Sequence, residues 1–202
     1  MEVSIMAATE HPIETMSLAA GVSYSKDNVS LKRIQNCLKH RHFSVAEFGD
    51  IQFKIEGISR SCSHQLVRHR LCSFLQESQR YNKYDLDSED WYVIPPAIQE
   101  DKQKLQTFRI FMAFAATQYR KLLESGVKAE DARFVLPESM KTTLVMKMNA
   151  RELFNVLNLR LSPSAQWEVR QVAEAMVEAV RNYNEEWAAI MDIYEDIKDI
   201  II

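Results

Sequence analysis

Glycine is scarce in this 202-residue chain, with only four: Gly21, Gly49, Gly57 and Gly126. Average usage is about 7%, and even the nearest pair, Gly49 and Gly57, is too widely spaced for a phosphate-cradling loop. The Gly-x-Gly-x-x-Gly dinucleotide turn and the Walker A loop are therefore excluded. Any nucleotide bound here must be held by side chains and helix ends. Cysteine is also sparse: Cys37, Cys62 and Cys72 are odd in number and lack Cys-x-x-Cys spacing. That argues against a disulfide framework or a structural zinc site and for reduced thiols. No stretch approaches the roughly 20 apolar residues of a membrane span. Residues 1–8 lack the basic start and apolar core of a signal peptide. The expectation is a cytoplasmic protein without a membrane partner.

An excess of positive charge is missing too. The net charge is −3 and the pI near 6.0, which argues against a nucleic-acid partner. The distribution is uneven. From Ser59 to Lys83 there are five bases (Arg60, Arg68, Arg70, Arg80, Lys83) and one acid, Glu77. One segment is thus built to meet anions, while the C-terminal segment is acidic.

The length suits one domain, residues 1–202. Residues 28–40 read as a helix with Ile34, Cys37 and Leu38 on one face. Ile51, Phe53 and Ile55 alternate as in a half-buried strand. Ser59 is positioned to cap a helix running to about Leu71, whereas residues 72–85 show no clear period. Trp91 to Ile94 read as a short strand before Pro95 and Pro96, and residues 98–125 as a long helix stopped by Gly126. Residues 129–135 form a short helix. Leu144, Met146 and Met148 alternate again, and Asn149 caps a helix over 150–160. Ser162 and Pro163 open a last helix to about residue 196. The sum is a helix-rich α+β fold with few strands.

The densest chemistry is Gln65-Leu66-Val67-Arg68-His69-Arg70, followed by Gln76-Glu77-Ser78-Gln79-Arg80-Tyr81. Guanidinium groups offer planar forks that match phosphate and carboxylate oxygens. The same run also reads as a basic helix end complementing the helix dipole. In a second cluster, Arg151 and Asn155 share a helical face beyond Asn149, whose helix N-terminus can hold an anion; a solvated face is the alternative. Arg133 precedes a chain break at Pro137, with an ion pair to Glu130 as its alternative. His40, His42 and Glu47 invite a metal reading, but the spacing is not His-Glu-x-x-His, so no metal is expected. A capping box of Ser44 and Glu47 accounts for that segment better.

Together these clusters resemble the flavin-dependent thymidylate synthases. The signature Arg-His-Arg, seven residues, then Ser is matched by Arg68-His69-Arg70 and Ser78. Asn149-Ala150-Arg151 through Asn158-Leu159-Arg160 to Ala165-Gln166-Trp167-Glu168, and Ala132-Arg133 through Leu136-Pro137, match independently and in order. The resemblance covers roughly residues 17–180. It implies a small, mainly antiparallel sheet and reductive methylation of dUMP to dTMP. The carbon would come from 5,10-methylenetetrahydrofolate and the hydride from FAD reduced by NADPH, in a homotetramer with shared active sites. It implies FAD contacts at Ser44, Arg68, His69, Arg70, Gln76, Asn149, Ala150, Arg151 and Asn155. It implies dUMP contacts at Gln65, Leu66, Val67, Arg68, Gln76, Glu77, Ser78, Gln79, Arg80, Arg133 and Arg160, with Arg160 activating the uracil ring. His42 falls where the family often has a histidine near folate and flavin. Cys72, inside the signature, is expected to pack rather than react. Gly21, Val45, Phe48 and Ser164 stand where the family often has arginine, proline, histidine and histidine. Two other classes compete: a nucleotide-binding regulator without turnover, and a nucleic-acid-binding helical protein.

Overall fold

The structure, a computed structural model, describes residues 1–84 and 86–201. Its strands are β1 (Glu2–Ala8), β2 (Asp50–Ser59), β3 (Ser73–Gln76) and β4 (Lys141–Asn149). They form a four-stranded antiparallel sheet in the order β1-β2-β4-β3. The helices are α1 (Pro12–Val22), α2 (Leu31–Lys39), α3 (Arg60–Leu66), α4 (Pro96–Gln99), α5 (Lys102–Glu124), α6 (Ala129–Ala132), α7 (Ala150–Arg160), α8 (Trp167–Tyr183) and α9 (Glu185–Ile197). The helix-rich α+β class holds. Among the described residues no helix is long and apolar enough to cross a membrane.

The chain divides into two compact units. The first takes Met1–Glu56, Gln65–Leu75 and the residues from Leu144 onward; the second takes Gly57–His64 and Gln76–Thr143. In the first unit β1 pairs with β2, placing Val3 opposite Ile55 and Ile5 opposite Phe53, with an irregularity between Ile5 and Ala7. The alternation read over 50–56 is real: Ile51, Phe53 and Ile55 are fully buried. Leu153, Val156 and Leu157 on α7 and Val169, Val172, Met176 and Val180 on α8 are buried at helical spacing. Phe154 stacks on Tyr194 with ring centroids 5.5 Å apart. Trp187, also buried, donates its indole N–H to the Thr9 carbonyl at 2.9 Å.

Four expectations are corrected here. The helix opened near Ser59 ends at Leu66, so Arg68, His69 and Arg70 lie on the turns beyond it. The last long helix opens at Trp167 under a Gln166 side-chain cap, not at Ser162 and Pro163, and it is two helices, because Asn184 is extended (φ −160°, ψ 170°) and its side chain caps α9 through the Trp187 N–H. Residues 91–94 contribute only an isolated bridge between Tyr92 and Met140. The stretch without a period contains β3.

The second unit is built on α5. Met112, Ala115, Ala116 and Tyr119 face Trp91, Tyr92, Ala132 and Met140. Trp91 meets Tyr92 edge-on at 5.1 Å, and Tyr92 meets Phe108 at 5.7 Å. Gly126 closes α5 with φ +89°, a conformation that costs a side-chain-bearing residue free energy. No heavy atom lies within 4 Å of where its Cβ would sit, so Gly126→Ala isolates the backbone effect. The expected loss is about 1 kcal/mol, read as a lower urea midpoint at unchanged m-value.

Candidate functional site

The expected site residues fall into two groups, one in each unit. In the first unit, α3 gives way to successive turns: the N–H of His69 meets the Leu66 carbonyl at 3.1 Å, and that of Cys72 meets the His69 carbonyl at 3.0 Å. These turns bury His69 and leave Val67, Arg68 and Arg70 exposed. Arg160, the last residue of α7, donates from Nε to His69 Nε2 at 2.9 Å and from Nη2 to the Gln65 carbonyl at 3.0 Å. Accepting at Nε2 requires a neutral imidazole with its proton on Nδ1. Burial first, and the Arg160 charge second, lower the His69 pKa to about 4. Leu66 and Ala150 are core side chains, which leaves only their backbone for the contacts expected at those positions.

Asn149 caps α7 as expected, its Oδ1 accepting from the Glu152 N–H at 3.0 Å. The Ala150 N–H is bound to the Gly49 carbonyl at 2.8 Å. Two of the N–H groups that could have received an anion are therefore already paired. Arg151 and Asn155 line a cavity of about 180 Å³ together with Phe43, Leu71 and buried Glu152. Arg151 is ion-paired with Glu47. This overturns the capping-box reading. Ser44 sits exposed in the short 3-10 helix Phe43–Phe48, which has no side-chain cap, and Glu47 serves a distant arginine instead. Of the departures, Val45 is buried, Phe48 is exposed, and Ser164 pairs its hydroxyl with that of Ser162 at 2.8 Å.

In the second unit, Gln76 Nε2 donates to Ser63 Oγ at 2.8 Å and to Thr142 Oγ1 at 3.3 Å. The Glu77 N–H binds the Thr143 carbonyl at 2.9 Å, while the Glu77 carbonyl accepts from Arg60 Nη2 at 3.0 Å. Ser78 Oγ accepts from the Arg80 N–H at 3.2 Å. Gln79 Nε2 lies 3.0 Å from the Met140 sulfur. Arg80 and Arg133 converge on one residue: Arg80 Nε donates to the Glu130 carboxylate at 2.7 Å, and Arg133 Nε to the Glu130 carbonyl at 2.9 Å. The ion pair foreseen for Arg133 thus belongs to Arg80. Arg80, Tyr81, Lys83, Lys128 and Glu130 line a cavity of about 510 Å³. Its surplus of cations suits an anion that competes with the Glu130 carboxylate.

Glu47 and Glu130 are the residues that sequence reasoning left outside the site. Glu130 had a local signal, three positions before Arg133, whereas Glu47 and Arg151 lie too far apart in sequence for spacing to link them. Cys72 is buried, and burial followed by Glu152 pushes its thiol up to about 12, which removes thiolate chemistry at neutral pH. No cluster of three or more His, Cys, Asp or Glu capable of holding a metal occurs among the described residues.

The His69 contact makes a testable statement about stability. Its folded pKa lies below the ordinary histidine value of 6.5, so between about 4 and 6.5 the unfolded chain binds more protons. The stabilisation is complete above that window and is lost as pH falls through it, at a cost of at most about 3 kcal/mol before solvent screening lowers it. Urea unfolding at pH 7 and pH 4.5 should show a larger loss for the native chain than for His69→Gln, whose amide accepts without titrating. Equal losses would remove His69 from this role.

Comparison with known proteins places the chain in a family. A profile described as thymidylate synthase complementing protein matches residues 4–183. The flavin-dependent thymidylate synthase of Pyrococcus furiosus is 39% identical over 191 residues, 88% of this chain and 78% of that protein. That of Geobacter sulfurreducens is 37% identical, over 90% of this chain and 82% of that protein. Thymidylate synthase X from Helicobacter pylori, solved with FAD and dUMP, matches 96% of this chain and 100% of that one, with TM-score 0.77 and 26% identity. A UMP/dUMP methylase from Streptomyces cacaoi shares the fold, with TM-score 0.82 at 22% identity over 99% of this chain and 96% of that one. With the family profile spanning most of its length and these relatives matching it almost end to end, the chain belongs to the flavin-dependent thymidylate synthases.

Proposed function

We propose that this protein converts dUMP to dTMP, taking a one-carbon unit from 5,10-methylenetetrahydrofolate and a hydride from FAD that NADPH has reduced. The chain works as a single synthase domain in this reading, in the cytoplasm. The observation that carries it is the hold on Arg160. The signature turn supplies both a buried neutral imidazole and a carbonyl to that guanidinium. A cation fixed in this way stabilises negative charge developing on a uracil ring that loses its N3 proton.

The residues also fit a flavin dinucleotide in part. Arg151 and Asn155 beside Phe43 and Leu71 offer a guanidinium, an amide and apolar walls, which suit a pyrophosphate or a ring edge. Arg68 and Arg70 are exposed cations on the same unit, and Ser44 is an exposed hydroxyl. A cavity of about 180 Å³ is below the usual range of roughly 300–1,000 Å³ for small-molecule sites. That deficit supports a site completed by other copies in a homotetramer. So do the exposed apolar side chains Leu71 and Leu75 on the first unit and Ile110, Phe111, Phe114 and Phe134 on the second, since such surface marks association. When bound, FAD supplies the hydride chemistry. The chain's own work is to bind, orient and stabilise charge. Ser78, Arg80 and Arg133, with Gln76, Glu77 and Gln79 setting the backbone around them, receive the nucleotide phosphate in this reading.

The deciding experiment is dTMP formation from dUMP, methylenetetrahydrofolate and NADPH, with FAD present or stripped. Product that depends on FAD is expected, and its absence with FAD bound would overturn the proposal. Arg160→Ala should keep FAD and lower kcat by about 10²–10³; near-native turnover would remove Arg160 from catalysis. Glu130→Gln should release Arg80 and lower the KM for dUMP about two- to fivefold, the range of an exposed ion pair. A raised KM would mean that Glu130 positions Arg80 rather than competing for it.

A further inference from the structure

A third cavity, of about 600 Å³, belongs to neither group. It lies in the first unit, where α2 meets the chain on either side of it. Its cationic lining is Lys26, Lys32 and Arg33, joined by the imidazoles of His40 and His42; no carboxylate lines it, and Tyr24 adds a ring that is 57% exposed. The cavity is built rather than incidental. Arg33 Nη1 donates to the Ser17 carbonyl at 3.0 Å and the Asn28 carbonyl at 2.9 Å, and Nη2 donates to Asn28 Oδ1 at 2.7 Å. Buried Ser17 also accepts the Ser30 N–H at 2.7 Å. The connection between α1 and α2 is thereby clamped onto α1. Gly21 permits the clamp, since a Cβ there would fall 2.2 Å from the Lys26 carbonyl oxygen and 3.0 Å from Arg33 Nη1.

The charge balance is the telling feature. Arg33 is satisfied by neutral groups, and neither it nor Lys26 nor Lys32 forms an ion pair among the described residues. Asp27, the acid of the same loop, does not line the cavity. Three cations gathered without an acid repel one another, and an anionic ligand relieves that cost. The volume falls within the range of small-molecule sites. His42 leads directly into the 3-10 helix that carries Ser44 and the Arg151 partner Glu47.

We propose that this cavity binds the polyanionic end of a soluble co-substrate, an organic group carrying several phosphate or carboxylate charges. The inference rests on the synthase reading, which supplies two sources of that chemistry: the phosphates of the nicotinamide nucleotide and the carboxylates of a polyglutamylated folate.

The test is calorimetric titration of FAD-loaded protein with adenosine 2′,5′-bisphosphate and, separately, with penta-γ-glutamate. Both are run on the native chain and on Lys26→Glu/Lys32→Glu. One probe should bind the native chain and weaken about tenfold or more in the variant, with Lys26→Arg/Lys32→Arg retaining binding. The matching KM should rise by a similar factor at unchanged kcat. A rise for NADPH and not NADH names the phosphates, and a rise for pentaglutamyl and not monoglutamyl methylenetetrahydrofolate names the carboxylates. Absence of binding by both probes, or equal binding to native and charge-reversed chains, overturns the proposal. Should the double reversal not fold, Lys32→Gln is titrated in its place and judged by the same weakening. A native chain that binds a probe and makes no dTMP would sink the synthase reading while leaving the anion site standing.

Discussion

The hydrogen bond from Arg160 to His69 sets the terms for the first unit's site. A guanidinium is always a donor, so its imidazole partner must remain neutral, and a neutral imidazole at neutral pH is best kept by burial. The turns after α3 provide that burial, and Arg160 strengthens it by opposing a second positive charge. Each member holds the other in the state it needs. The Gln65 carbonyl then fixes the guanidinium at a second point, which gives it a defined plane instead of the rotamer freedom of an exposed arginine. The other signature arginines, Arg68 and Arg70, lie on the same turns and remain at the surface.

The partners of Arg151 and Arg80 are of a different kind. Glu47 and Glu130 are partly exposed carboxylates, and such pairs are worth at most about 1 kcal/mol. An incoming phosphate brings comparable or greater charge with the geometry that a guanidinium fork prefers. A carboxylate there keeps the arginine extended and the local field balanced, and it exchanges readily. The contrast separates two tasks. In the proposed function, the arginines offered to phosphates, Arg151 and Arg80, rest on exchangeable acids, whereas Arg160, offered to the uracil ring, is held by the neutral His69 imidazole and the Gln65 carbonyl. Glycine poverty is consistent with this division, because phosphate recognition through guanidinium forks needs no close approach of backbone.

Local regularities made β2, β4 and α7 legible. Their alternation or cap is written in adjacent residues such as Ile51, Phe53 and Ile55, or Asn149 ahead of Glu152. Long-range choices were not. No glycine or proline marks the end of α3 at Leu66, and its stop puts His69 under Arg160 from a segment 91 positions away. The break between α8 and α9 did leave a trace, Asn184 followed by Glu185 and Glu186, an N-cap with acids in its first turn. The continuous apolar period across it concealed the boundary. Ser44 and Glu47 had the spacing of a capping box, but Arg151 offered Glu47 a full charge, and the distant ion pair prevailed over a local backbone hydrogen bond. The candidate residues could be named from spacing and family resemblance. The partner of each arginine could not, because partner choice depends on the fold.

Size limits what one copy of this chain can do alone. If the cavity beside Arg151 takes FAD as proposed, its volume of about 180 Å³ suits only a fragment of a dinucleotide, and the chain has no glycine loop to wrap the remainder. A ligand held only at one end by one guanidinium and one amide gains little over water, since polar contacts exchange for hydration almost evenly. Firm binding requires walls that exclude water from the rest of the molecule. The exposed apolar side chains beside the signature turn, Leu71 and Leu75, are of the type that forms such walls once another chain covers them. Association would then do two things at once: remove apolar surface from water, and lower the dielectric around the signature arginines so that each phosphate contact counts for more. If copies of the chain complete the proposed FAD site in this way, oligomer assembly and cofactor affinity are linked quantities, and a substitution that loosens one also loosens the other.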